Sequence, residues 1–151
     1  MRNTLYALDP GTHETAIVKM VDGKIARAEI LQNAQLLAML RNGNFRNTIT
    51  AIESIASYGM AVGKETFETC EWCGRFREAV ERNLGEVRKV YRKDVKIHLC
   101  GTVRAKDGNI SQALRDKYGD KGTKKNPGPT YGISKHMWAA LAVADYALTK
   151  G

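Results

Sequence analysis

Cysteine is scarce in this chain. Three residues in 151 are too few, and odd in number, to build a disulfide framework, so nothing points to an oxidising compartment. Long apolar runs are missing too: no stretch approaches the roughly 18 consecutive apolar residues of a membrane-spanning helix, and no membrane association is expected. No secretory leader opens the sequence, since Arg2 and Asn3 run straight into the strand-like Thr4-Leu5-Tyr6-Ala7-Leu8, so a cytoplasmic setting is expected. A Walker-type GxxxxGK[ST] sequence is lacking, and no nucleotide cofactor is expected. Internal repeats and low-complexity tracts are absent as well. With 43% apolar and 26% charged side chains, the expectation is a single globular domain spanning 1–151.

Acids are the minority charge. Against 16 Asp and Glu stand 24 Lys and Arg, and the formal net charge of +8 favours a polyanionic partner, nucleic acid first. The excess is concentrated. Arg88, Lys89, Arg92, Lys93, Lys96, Arg104, Lys106, Arg115, Lys117, Lys121, Lys124 and Lys125 crowd one segment in which acids are few. Lysines serving solubility alone would not require that clustering.

The hydrophobic pattern yields alternating elements. Thr4 to Leu8 reads as a buried strand stopped by Asp9-Pro10-Gly11. Glu14 to Val21 and Lys24 to Leu31 are strands joined by Asp22-Gly23, a strong hairpin signal. Asn33 is expected to cap a helix running to about Arg41, with Gly43 ending it. A fourth strand, Thr48 to Ile52, leads into Glu53, and Lys64 to about Leu84 reads as a long amphipathic helix. Val87 to Tyr91 is a fifth strand. Asp94 to Leu99 fits either a short helix or a strand extension, and Asn109 to Lys117 looks helical. Residues 119–133, with several glycines and two prolines, read as a mobile basic loop. The last helix is expected from Ser134, as N-cap, to Leu148. The fold class is therefore α/β, a mixed five-stranded sheet with helices on both faces.

Asp9 and Glu53 both lie at strand ends. If their strands are neighbours, the two carboxylates emerge at one sheet edge, where they can hold a hard divalent cation such as Mg2+ or Mn2+. Phosphodiester hydrolysis uses such sites, because metals activate water and stabilise charge on the attacking and leaving oxygens. An acid at a strand end also serves as a turn former, so the pair alone is a weak signal.

Three segments carry a more specific pattern: Asp9-Pro10-Gly11-Thr12, Ala51-Ile52-Glu53, and Ser134-Lys135-His136-Met137-Trp138-Ala139-Ala140-Leu141-Ala142-Val143-Ala144. In order and spacing they resemble the RuvC family of Holliday-junction resolvases. Lys121-Gly122-Thr123-Lys124-Lys125-Asn126-Pro127-Gly128-Pro129 resembles the loop of that family's bacteriophage-type branch. The likeness spans almost the whole chain. It implies an RNase H-like fold, a homodimer in a bacterial host cell, an acidic two-metal site and paired incisions across a four-way junction.

On that resemblance Asp9, Glu53 and His136 match the metal ligands, and Lys96 and Lys106 match lysines placed near the scissile phosphate. One departure stands out: where cellular members carry a further Asp one helical turn after the third ligand, this chain has Ala139. Asp145 does not replace it, because nine residues at about 100° each put it on the opposite side of the helix from His136. On residues alone, His136 reads equally as a packed or capping side chain beside Ser134, and Lys96 and Lys106 as solvated lysines. Arg104, Lys106, Lys121, Lys124 and Lys125 are expected to contact phosphates. Tyr58 or Met60 would supply the aromatic or apolar contact that the family places near Ala56. The alternative function is a non-catalytic protein that binds branched DNA on the same fold.

Two further readings are weaker. Cys70-Glu71-Trp72-Cys73 has the spacing of half a zinc site, with His98 and Cys100 as a conceivable second half, but cysteines inside an amphipathic helix are expected as buried small hydrophobes. Trp72, Phe76 and Val80 form a broad apolar stripe, expected as the homodimer interface.

Overall fold

The computed structural model describes residues 3–150. Its centre is a five-stranded mixed sheet of β1 (Thr4–Pro10), β2 (Glu14–Val21), β3 (Lys24–Gln32), β4 (Ile49–Ser54) and β5 (Glu86–Tyr91). The spatial order is β3-β2-β1-β4-β5. The first three strands form an antiparallel meander, and β4 and β5 add in parallel on the other side of β1. Asp22 and Gly23 turn the β2–β3 hairpin with φ of 51° and 76°, the left-handed pair that a two-residue turn of this hand requires.

Helices cover both faces because the strands are apolar on both. Leu8, Ile17 and Ile52 point to one side, where they pack with α1 (Asn33–Arg41) and α2 (Lys64–Arg82) through Leu36, Leu37, Leu40, Phe76 and Val80. Leu5, Ala7, Ala16, Val18 and Ala51 point to the other, against α3 (Arg92–Cys100), α4 (Asp107–Tyr118) and α5 (His136–Lys150). Asp94–Leu99 thus resolves as helix. No described helix is long and apolar enough to cross a membrane.

Three local expectations change. Asn33 does not cap α1: its buried amide accepts from Thr15 Oγ1 at 2.6 Å and donates to the Gly11 carbonyl at 2.9 Å. An amide that both donates and accepts is better used tying the Pro10–Gly11 turn to the sheet than satisfying one helix N–H. Helix α5 begins at His136 rather than at a Ser134 cap, after Lys135 with φ of 50°; Ser134 contributes its carbonyl to Met137 N at 3.0 Å. The stripe assigned to a dimer contact is taken up inside the fold, since Phe76 and Val80 are buried against the sheet and Trp72 stacks on Phe76 at 5.7 Å. The outward side of α2 is charged instead, with Arg77–Glu81 and Arg82–Glu78 ion pairs.

Residues 119–133 form a turn structure rather than a bare tether. Gly122 and Pro127 make a bridge, Gly128 N donates to the Lys121 carbonyl at 2.8 Å, and Thr130 Oγ1 donates to the Gly119 carbonyl at 2.8 Å. Gly128 is needed here because a Cβ would run into the Asp120 carbonyl. Thr130 and Ile133 are buried, which fixes the chain just before α5.

Helix α5 is alanine-rich and buried over Ala140–Asp145, so sheet and helices approach it closely from two sides. Asp145 locks its outer side. Its buried carboxylate accepts from Tyr118 OH at 2.6 Å, Lys117 Nζ at 2.7 Å and His98 Nε2 at 2.9 Å, joining α5 to α4 and α3. Burial alone would raise its pKa, but the donors from Lys117, Tyr118 and His98 outweigh that and hold the carboxyl below its usual value. A depressed carboxyl pKa adds stability that is present above the unfolded value of about 3.9 and is lost as pH falls through the folded value. Asp145→Asn is expected to lower stability at pH 7 by about 2–4 kcal/mol, because three donors lose their charged acceptor. The penalty should shrink as pH falls below about 4, where the unfolded chain's carboxyl takes up a proton before the folded one does. Urea unfolding at pH 7 and pH 3, with unchanged m-value, checks both.

Candidate active site

The parallel register of β1 and β4 creates the site. Leu8 pairs with Ile52, so Asp9 and Glu53 fall next to each other one residue further on. Side chains alternate along a strand, and Leu8 and Ile52 face α1 and α2, so both acids turn toward α5. The first residue of α5 meets them there: His136 Nδ1 lies 3.1 Å from Asp9 Oδ2. Strand β5 continues the pattern. It pairs Ser54 with Tyr91, and Arg92, the next residue, reaches Glu53 Oε1 at 3.7 Å.

The two carboxyl groups touch, and both are largely withdrawn from water. Glu53 is pushed up to about 9, first by burial and then by its hydrogen bond to Asp9 and the Asp9 charge, while Arg92 pulls the other way. Asp9 is also raised, by burial first, although its hydrogen bond to Glu53 and the charge of Arg92 oppose this. Two adjacent carboxylates in a low-dielectric pocket cannot both ionise cheaply, so the pair favours retaining one shared proton.

A cleft of about 550 Å³ opens over the acids, walled by Arg92, Asp107, Ser111, Lys135, His136, Trp138 and Ala139. A second groove runs away on the other side past Thr12, Ile55, Ala56, Tyr58, Thr66 and Thr69. Asp9, Glu53 and Arg92 line both. This open trough suits an extended polymer better than a small enclosed ligand.

Among the described residues no three His, Cys, Asp or Glu side chains are already gathered as a metal cage. The positive guanidinium of Arg92 lies against Glu53, and the His136 ring lies against Asp9. The donor set still fits a hard divalent cation: two carboxylates and one imidazole, the latter 77% exposed, converge on a water-accessible cleft that leaves further positions to solvent.

The other expected residues are spread more widely. Lys96 sits half-buried on α3, away from the cleft lining. Lys106 is exposed just before α4, its backbone N–H donating to Asn109 Oδ1 at 2.9 Å. Arg104 is exposed between α3 and α4, and Lys124 and Lys125 are exposed in the 119–133 turn. Lys121 Nζ stands 5.9 Å over the Trp138 ring, with Arg115 also against it at 5.6 Å. Tyr58 is 61% exposed, with Lys93 Nζ 6.0 Å from its ring centre.

Cys70 is exposed, contrary to expectation, and only Cys73 is half-buried, its Sγ 3.8 Å from the Glu53 carbonyl. Burial pushes the Cys73 thiol up to about 11. His98 is committed to Asp145, so the zinc halves are not combined.

Arg92 and Asp107 are site residues that the sequence pattern does not single out. Arg92 has a usable signal, since it follows a strand parallel to β4 and therefore exits at the same edge. Asp107 carries no sequence signal, because only the packing of α4 against α5 brings it to the cleft.

No described protein family matches the chain, and no characterised protein matches it by sequence. Solved structures do. The Thermus thermophilus RuvC structure aligns over 97% of this chain and 96% of its own, at 17% identity and a TM-score of 0.71. T. thermophilus RuvC in complex with Holliday junction substrate aligns over the same shares, at 19% identity and a TM-score of 0.72. The fold is accordingly RNase H-like, as expected from the sequence.

The carboxyl pair has a measurable signature in cation-free protein. A carboxyl whose folded pKa is raised stabilises the fold fully below its ordinary value of about 4.3 and loses that contribution as pH rises toward the folded value. Stability should therefore decline between about pH 5 and 9, and Glu53→Gln should flatten that decline. Equal slopes for the two proteins in chelator-treated urea unfolding would contradict the shared proton.

Proposed function

We propose that this chain is a metal-dependent, structure-selective endodeoxyribonuclease of the RuvC family, close to its bacteriophage-type branch, that resolves Holliday junctions and related branched DNA by paired nicks. One observation carries the reading: Asp9 and Glu53 stand side by side at an open edge of an RNase H-like sheet, with His136 bonded to Asp9. The shared fold of a RuvC solved on a Holliday junction substrate supports the choice of DNA.

Asp9, Glu53 and His136 would hold Mg2+ or Mn2+, and the cation would activate water and neutralise charge on the scissile phosphate. The chain's own residues do the rest. Arg92 and Lys135, both lining the cleft, supply positive charge beside the phosphate path. Lys106 and Arg104 extend that path before α4, and Lys96 lies further along α3. Lys121, Lys124 and Lys125 grip a duplex arm, and exposed Tyr58 offers a stacking face beside the second groove.

A four-way junction is two-fold symmetric, so paired nicks require two active sites and hence a homodimer. With Phe76 and Val80 buried, its contact must use other surface; Ile55, Tyr58, Met60, Val62 and Phe67 are exposed large hydrophobic side chains at the start of α2 and in the loop before it. Light scattering at micromolar concentration should give the mass of two chains, or of two chains plus one junction when DNA is added, and a persistent single-chain stoichiometry in both conditions would rule the homodimer out.

Asp9→Asn and Glu53→Gln are each expected to abolish cleavage of a labelled four-way junction in Mg2+ or Mn2+ while leaving its binding largely intact. Binding without nicking by the unmodified protein in either metal would favour the non-catalytic junction binder. Charge reversal of Lys124 and Lys125 should weaken binding and flatten its salt dependence, by about 0.9 log unit of slope for each phosphate that is no longer neutralised. His136→Asp, which exchanges nitrogen for oxygen, should shift the metal preference from Mn2+ toward Mg2+; an unchanged preference would remove His136 from the ligand set.

A further inference from the structure

We propose that Asp107 is a third cleft carboxylate that ligates the divalent cation together with Asp9 and Glu53, an inference that rests on the metal-dependent reading above. Asp107 is the first residue of α4 and lines the same cleft as Asp9, Glu53 and His136. Its side chain is 91% exposed and so is free to turn. The α5 wall opposite contributes His136, Trp138 and Ala139 but no carboxylate. Among the cleft-lining residues Asp107 is thus the sole carboxylate besides the buried pair.

Arg92 shows what this arrangement demands. Its guanidinium contacts Asp107 and also lies 3.7 Å from Glu53, so one positive group spans carboxylates from two different elements. That is the place and the charge of a bridging cation. A hard divalent ion takes six or more ligands, and Asp9, Glu53 and His136 leave several to water. Were Asp107 to take one of those positions, Arg92 would lose a carboxylate partner and be available to an incoming phosphate, which a guanidinium binds in bidentate fashion.

A purely structural role predicts something different. A carboxylate in the first turn of a helix stabilises it through the helix dipole, and one beside Arg92 merely neutralises it. A double-mutant cycle separates the roles. Mn2+ is titrated into chelator-treated full-length protein and free Mn2+ is read by electron paramagnetic resonance, for the unmodified chain, Asp107→Asn, Arg92→Gln, the double variant and Asp9→Asn. Urea unfolding of each confirms the fold.

If Asp107 is a ligand, Asp107→Asn weakens Mn2+ binding by about tenfold or more, both with Arg92 present and in the Arg92→Gln background. Arg92→Gln alone tightens binding, because the resident positive charge is gone. If Asp107→Asn has no effect once Arg92 is replaced, Asp107 acts only on Arg92 and the proposal is overturned, while loss of binding in Asp9→Asn leaves the metal reading standing. Mn2+ binding that is undiminished in Asp9→Asn, or absent from the unmodified chain, overturns the metal reading and this proposal together.

Discussion

Repulsion between two carboxyl groups that the backbone forces together governs much of this molecule. The β1–β4 register fixes Asp9 and Glu53 side by side, and the pleat turns both toward α5, so neither can move apart without breaking the ladder. Everything around them answers that constraint. Burial raises both carboxyl pKa values, His136 arrives from the first turn of α5, and Arg92 arrives from the end of β5. Such a pocket favours whatever brings positive charge, which is the property a metal-assisted phosphodiesterase needs.

Holding that pocket in shape takes two anchors on opposite sides. Asn33 and Thr15 clamp the turn after Asp9 through a buried pair of hydrogen bonds. Asp145 holds α5 against α3 and α4 from the other side. None of the three lines the cleft, yet together they set where Asp9 and His136 stand. In thermodynamic terms the acids are kept in an unfavourable juxtaposition by hydrogen bonds made elsewhere.

The sequence reveals the parts of this arrangement that depend on local periodicity. Strand alternation, the Asp22-Gly23 turn and the position of acids after apolar runs place five strands, four helices and the Asp9–Glu53 edge, with boundaries shifted by a residue or two, and leave Asp94 to Leu99 open between helix and strand. What it hides is set by partners distant in the chain. Asn33 looks like a cap because its real partners, Thr15 and Gly11, lie 18 and 22 residues away. Phe76 and Val80 look like surplus apolar surface because the depth of the α2 core cannot be read from one helix. Asp107 and its contact with Arg92 are invisible for the same reason, since α4 reaches the cleft only through tertiary packing. Helix geometry rightly excludes Asp145 from the site, but its role as a buried hub needs coordinates to see.

The folded turn at 119–133 has a further consequence, which concerns the entropy of association. Its base is pinned by Thr130, Ile133 and the Gly122–Pro127 bridge, while Lys124 and Lys125 stand bare. An unstructured arm would have to surrender its backbone freedom at the moment of contact, at about 1–2 kcal/mol per residue. Here part of the backbone is already hydrogen-bonded to itself, so less of it remains to be arranged on contact with a partner. Charge is therefore presented on a preorganised support, and attraction need not be diverted into arranging it.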